Sequence, residues 1–365
     1  MGATKTGLYL DYLIHPGETL YDLLEDRKMT QAELAIRAGV SAKHISEVVN
    51  GNASISPKLA SALENIFGTT ANFWLNLQNN YDIERIKIMS TESVTESELE
   101  ILNKLKKVME YLRTLKLLEK GGTKAELVLF FRRFLSVSSL TSIPALSFNA
   151  AFRKADNIAV DPYVLYSWIK ICEVLSAQKT SSNVLNIEKL RGKVGYIKSL
   201  MLLPDINDAI SKLAAVFAEC GIKFGVIAHI TGAPVHGFIE KTDEGDLILF
   251  LTIRGKYADK FWFTLFHEIA HILNGDIDAS KRFIDYEFLE SDVENAANSW
   301  ASNALLNDQD YRAFILEGEF SLTSIKSFAE KQEVFPGVVI GRLQKEKHIP
   351  YSYFNSEKLK YEWAK

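Results

Sequence analysis

Residues 259–275 read DKFWFTLFHEIAHILNG and contain His267-Glu268-Ile269-Ala270-His271. Apolar residues flank the motif on both sides, and a glycine closes the stretch, as at many helix C-termini. On a helix, residues four apart stand one turn above the other on the same face. Two imidazoles at that spacing reach one Zn²⁺ at ~2.0–2.1 Å. Glu268 lies at the edge of the same stripe, where its carboxylate meets a water on the metal without ligating it. Two histidines and a glutamate inside an apolar helix cost free energy unless they have partners. A pair of satisfied core histidines is the plainer alternative to a metal site.

A catalytic zinc site needs a third protein ligand and keeps a fourth position open. Downstream, residues from about 291 to 306 read as a second helix. Glu294 on that helix is the candidate, because two helices joined by a loop pack side by side. Asp276, Asp278, Asp285 and Asp292 compete for the role from the loop. In such a site, zinc activates water and polarises a carbonyl, and Glu268 moves the proton to the leaving amine. The developing oxyanion also needs a donor; His236 and Arg254 lie in adjacent strand segments, although a structural or surface role is the plainer reading for both.

Upstream of the motif the apolar period is that of strands. Residues 222–229, 235–240 and 246–254 alternate or run apolar, with a turn at Asp243-Glu244-Gly245, and predict a three-stranded sheet. Residues 125–220 read as mostly helical, as does the tail from 311 to 365. From Thr95 to Lys120, Leu99, Leu102, Leu105, Val108, Leu112 and Leu115 fall at helical spacing and predict one long helix, stopped by Gly121-Gly122. That helix reads as a linker or dimerisation element, or as a packed surface helix.

Residues 1–92 predict a compact helical unit. Thr30 followed by Glu33 has the spacing of a capping box, Ala38-Gly39-Val40 turns the chain, and Ser41 caps a second helix that Gly51 stops. This is the pattern of a helix-turn-helix. Leu34, Val40, Ile45 and Val48 form its shared core. Ala42, Lys43, Ser46 and Glu47 are left on the outer face of the second helix, facing base edges in a major groove. Ser41, Gln31 and Asn50 near helix ends suit DNA contacts, the last two to phosphates. Residues 1–90 carry eight Lys and Arg against ten Asp and Glu. A monomer of that charge binds DNA weakly, and a homodimer on a two-fold operator compensates. A helical protein-interaction domain is the competing reading.

The chain has 365 residues, 47% hydrophobic and 24% charged, with net charge -4. That allows two or three domains and excludes a polycation. Cys172 and Cys220 stand alone in apolar helical context, so they are expected reduced and buried. The N-terminus does not read as a signal peptide, and no apolar run reaches the ~18–20 residues of a membrane span. A cytoplasmic protein is expected.

His15-Pro-Gly-Glu18, the helix-turn-helix, and residues 67–78, FGTTANFWLNLQ, resemble HigA-type antitoxins of the XRE helix-turn-helix class. Residues from about 225 to 306 resemble the ImmA/IrrE family of metallopeptidases, through the strand before the motif, residues 261–271 and Glu294-x-x-Ala-Asn298. The whole chain is similar to fusions of the two modules. The resemblance implies a mainly α fold with a small α+β part. Its regions are a five-helix DNA-binding domain over 1–92, a connecting helix over 93–124 and a helical middle over 125–220. A minimal zincin-like peptidase core follows over 221–310, with a helical tail over 311–365. It also implies Glu294 as third ligand to one Zn²⁺ per chain, beside His267 and His271, with Glu268 as base. The implied function is a DNA-binding regulator or antitoxin whose zinc endopeptidase cleaves a partner repressor, an antitoxin or itself. The alternative is a non-catalytic autorepressor and antitoxin whose peptidase-like domain senses metal or binds a partner. Implied partners are operator DNA and a cognate toxin or partner repressor. Asn274 stands where relatives often carry a further His, and Asn303-Ala-Leu-Leu-Asn307 replaces a more usual Met-Pro ending.

Overall fold

The computed structural model describes residues 13–146, 160–179, 184–242, 245–253, 256–277, 282–286 and 291–361. The turn residues Asp243 and Glu244, together with Arg254 and Asp278, lie outside the described residues, as does the side chain of Asp285. The chain forms two compact units. One comprises residues 1–99 and 122–130, the other 100–121 and 131–365.

The first unit is built on five helices: α1 (Pro16–Asp26), α2 (Gln31–Ala38), α3 (Ala42–Val49), α4 (Pro57–Phe67) and α5 (Ala71–Glu92). Their apolar faces meet in a core of Leu20, Leu24, Leu34, Ile45, Leu59 and Trp74. The boundaries follow from local chemistry. Thr30 Oγ1 accepts from the Glu33 N–H and Ser41 Oγ from the His44 N–H, each at 3.1 Å. Gly39 closes α2 with φ 65°, a left-handed conformation that costs a residue without Cβ nothing.

His15 caps α1 with its ring: Nδ1 accepts from the Gly17 N–H at 2.9 Å. Pro16 supplies the first helical residue, and a Cβ on Gly17 would overlap the Val48 carbonyl of α3. The His-Pro-Gly sequence is therefore a cap and a close crossing of two helices. Burial lowers the His15 pKa below 6.5, although Asp82 and Glu18 pull the other way. The unfolded chain takes up a proton near 6.5 that the folded unit resists. His15 therefore contributes its full stability above about pH 6.5 and loses it as the pH falls from there towards the folded value. A protonated Nδ1 cannot accept, and its charge opposes the helix dipole. His15→Ser keeps a cap without the titration. Its denaturant midpoint, followed by NMR at α1, is expected to fall less than that of wild type between pH 7.5 and 5.5.

Next come α6 (Glu96–Lys104), α7 (Lys106–Thr114), α8 (Lys124–Phe134) and α9 (Ile143–Leu146). The single long helix expected over 95–120 is two helices. The break is at Leu105, where ψ is 5°, and α7 ends at Thr114 with Lys116 at φ 58°. The Leu117 and Leu118 N–H groups both turn back to the Leu112 carbonyl. The apolar period reads through the break because both helices bury one continuous side: Leu102 of α6, Leu105 at the break, and Val108 and Leu112 of α7 are all buried.

The remainder of the second unit adds α10 (Pro162–Ala177), α11 (Ile187–Ser199), α12 (Ile206–Glu219), β1 (Ile222–Ile227), β2 (Val235–Lys241) and β3 (Leu247–Thr252). These are followed by α13 (Ala258–Asn274), β4 (Arg282–Tyr286), α14 (Asp292–Leu305), α15 (Asp308–Glu317), α16 (Leu322–Lys331) and α17 (Pro336–Lys345). The sheet order is β1-β3-β2-β4. β3 pairs parallel with β1 and antiparallel with β2, and every residue of β3 is buried. The fourth strand was not expected. It comes from the loop after α13 and pairs antiparallel with β2, with a register shift between Val235 and Gly237 that leaves His236 as an extra residue. A five-residue edge strand carries little periodicity of its own, so pairing with β2 defines it.

The motif helix α13 packs under the sheet and is buried along nearly its whole length. The C-terminal tail ties down its first turns. Lys358 Nζ meets Asp259 Oδ2 at 2.7 Å in a buried pair, and Trp262 Nε1 donates to Tyr361 Oη at 2.8 Å. Cys172 and Cys220 are both buried, as expected. Among the described residues, no helix is long and apolar enough to cross a membrane.

Candidate functional site

The one-turn spacing along α13 brings His267 Nε2 and His271 Nε2 to 3.0 Å. The third group arrives from α14. Ser291 caps that helix, accepting from the Glu294 N–H at 3.2 Å, which places Glu294 in the first turn facing α13. Glu294 Oε2 stands 3.1 Å from His267 Nε2 and 3.8 Å from His271 Nε2. Among the described residues, these three form the group whose ligand atoms converge, all within 4.8 Å. They are 4%, 0% and 5% exposed.

The ligand positions fit zinc. Tetrahedral ligands at ~2.0–2.1 Å from a metal lie about 3.3 Å from one another. The three separations here bracket that value. Two imidazole nitrogens 3.0 Å apart cannot both present lone pairs without a proton or a cation between them. The electrostatics agree. Burial alone would raise the Glu294 pKa, but the two imidazoles hold it down at about 2. Burial would likewise lower His271, yet its hydrogen bonds to Glu294 and Asp276 raise it. The cluster is built to hold positive charge.

Asp276 has a role the loop spacing did not reveal. Gly275 ends α13 with φ 77°, and the Asp276 N–H turns back to the His271 carbonyl. This puts Asp276 Oδ2 2.8 Å from His271 Nδ1, on the far side of the ring from the cluster. A carboxylate there orients the imidazole and fixes its Nε2 lone pair inward. Of the other loop candidates, Asp292 is exposed in the first turn of α14.

Glu268 is fully buried beside β2. A Cβ on Gly237 would fall inside its carboxylate, so the strand comes this close only because residue 237 has no side chain. A lone glycine in a strand pattern was the available signal for this contact. Gly237→Ala is expected to destabilise the protein by about 1–3 kcal/mol through overpacking. Thermal unfolding against an Ile239→Val control on the same strand checks this. A destabilisation no larger than the control's would show that the strand moves aside freely. His236, at the adjacent bulge, is half-buried.

In the first unit, Ala42 and Lys43 are exposed and Ser46 and Glu47 half-buried along the outer side of α3. The Lys43 side chain is 84% exposed and lies 3.7 Å from Glu47 one turn on. Gln31 is half-buried at the start of α2. Two of the expected contact residues already serve the helix itself: Ser41 caps its start, and Asn50 Nδ2 donates to the Ser46 carbonyl at 2.8 Å.

A helix-turn-helix family model matches residues 20–74, from α1 into α5. Over 98 residues the chain is 33% identical to YbaQ, an uncharacterized HTH-type transcriptional regulator of Escherichia coli (strain K12). That alignment takes in 27% of this chain and 81% of YbaQ. The chain belongs to the helix-turn-helix family of transcriptional regulators. Helices α2 and α3, with the turn at Gly39 between them, are the two helices of that motif. Two solved structures are also similar. One is an addiction module antidote protein of the HigA family from Coxiella burnetii, 38% identical, covering 23% of this chain and 96% of that one with TM-score 0.21. The other is the Pseudomonas aeruginosa antitoxin HigA with the higBA promoter, 30% identical, covering 23% and 97% with TM-score 0.22.

Proposed function

We propose that this regulator binds operator DNA through α3 and holds one Zn²⁺ on His267, His271 and Glu294, where Glu268 serves the hydrolysis of a peptide bond in a regulatory protein. The observation that carries the proposal is the convergence of three buried ligand atoms, two imidazole and one carboxylate, within 4.8 Å, with the buried Glu268 carboxylate one residue past His267 on α13. Zinc, when bound, supplies Lewis acidity at the scissile carbonyl and acidifies the attacking water. Asp276 holds the His271 ring so that Nε2 faces the ligand cluster. Glu294 stays anionic at every physiological pH, its pKa being about 2. Glu268 accepts the proton of the water and passes it to the leaving amine. The substrate class is a protein of the same regulatory circuit: a partner repressor, an antitoxin or the chain itself. The DNA-reading part, with the homodimer that a two-fold operator asks for, draws on membership of the helix-turn-helix family.

One observation favours a second reading. The ligands and Glu268 are each no more than 5% exposed, which leaves a peptide little room. On that reading the chain is an autorepressor and antitoxin whose metal cluster senses zinc or steadies a partner-binding surface. The test is incubation of proteins encoded beside this chain with wild type and with Glu268→Gln. Cleavage by wild type alone supports the enzyme, and intact partners in both sink it.

A further inference from the structure

Charge along this chain is strongly uneven. Residues 104–120 carry six Lys and Arg and two Glu, net +4, in a chain whose total is -4. The rest of the chain is therefore net -8. The strip is held on ordered backbone. Val108 and Leu112 are fully buried and Leu118 nearly so, and the turn after α7 is pinned by the Lys116 and Leu117 N–H groups bonding back to Arg113 and Leu112. Lys106, Lys116 and Lys120 are exposed, and none of them has an ion pair among the described residues. Lys104 and Lys107 meet Asp161 and Glu110 at 3.7 and 3.6 Å.

We infer that residues 104–120 form a second nucleic-acid surface, which binds duplex phosphates without reading sequence. The helix-turn-helix region is itself net -2 over residues 1–90 and offers few cations for counterion release, so a basic strip elsewhere on the chain adds phosphate contacts that even a homodimer of that region supplies sparingly. Lysine is a point-charge donor to phosphate, suited to backbone contact and not to base readout. An anionic membrane is the other polyanion such a strip would meet. Membrane binding by a helix also needs apolar side chains to insert, and none of the exposed large hydrophobic residues lies between 104 and 120. The inference rests on the DNA-binding reading of α3, but it places the salt dependence in a different segment.

The test uses the full chain, a random-sequence 40-base-pair duplex and fluorescence anisotropy across a sodium chloride series. Replacing Lys106, Lys116 and Lys120 together by Gln is expected to reduce the slope of log affinity against log salt by about 2.7, at ~0.9 per phosphate contact. Between 50 and 200 mM salt, wild type then loses about 40-fold more affinity than the triple variant. The control of equal charge change replaces Lys326, Lys331 and Lys347 by Gln, and its slope should match wild type. An unchanged slope in the first variant, or an equal fall in the control, overturns the inference while leaving α3 as the reader. Binding of phosphatidylserine vesicles that depends on the three lysines, with DNA binding unaffected, overturns it as well. Failure of wild type to bind any duplex at low salt removes the DNA-binding reading and this surface together.

Discussion

Zinc added to metal-free protein will bind at one ion per chain and raise its melting temperature, and Glu294→Ala and His267→Ala will abolish both effects. The ligand atoms already stand 3.0, 3.1 and 3.8 Å apart, so binding requires little rearrangement. A ligand that binds only the folded state stabilises it by about 4 kcal/mol at a thousandfold excess over Kd. At roughly 2–4 °C per kcal/mol for a unit of this size, the melting temperature rises by about 10 °C. Each alanine variant removes one donor from a cluster with no spare among the described residues. Metal analysis after dialysis, with calorimetry, gives both readouts. No bound divalent metal in reconstituted wild type would end the metal reading and with it the peptidase.

Glu268→Gln will keep zinc and fold while abolishing cleavage of the partner protein, a fall of about 10²–10⁴ in rate. Glutamine matches glutamate in shape, so it fits against Gly237 as the native side chain does. It carries no charge, which removes the cost of burying one in a fully enclosed position. Stability should therefore hold, and it can rise. What is lost is the proton acceptor. The diagnostic pattern is unchanged zinc content and melting temperature beside lost turnover. A variant that cleaves as fast as wild type would take Glu268 out of the chemistry.

Much of the site was legible because its geometry is local. A helix puts residues four apart on one face whatever surrounds it, so His267 and His271 could be paired before any fold was known. Thr30, Ser41 and Gly39 set helix ends through hydrogen bonds three or four residues long, and their roles were readable for the same reason. Glu294 was nominated by spacing and by resemblance together. Spacing could not separate it from four loop aspartates, since that choice depends on how α14 packs against α13.

The remainder depended on distant neighbours. Asp276 was one loop carboxylate among several until the turn at Gly275 carried it behind His271. Gly237 was one glycine in a strand until Glu268 filled the space beside it. The break at Leu105 in the helix expected over 95–120 was not legible, because the buried side continues across the bend and periodicity alone does not register a bend that keeps the same residues inside.

The 259–275 stretch by itself determined a helix with two imidazoles on one face and a carboxylate beside them. Helix spacing and an apolar background suffice for that. The tertiary structure alone decided how α14 brings Glu294 to the two imidazoles, which acid braces the cluster and how close the sheet comes to Glu268. Each of those is a contact between segments far apart in the chain, set by the packing of whole helices and strands.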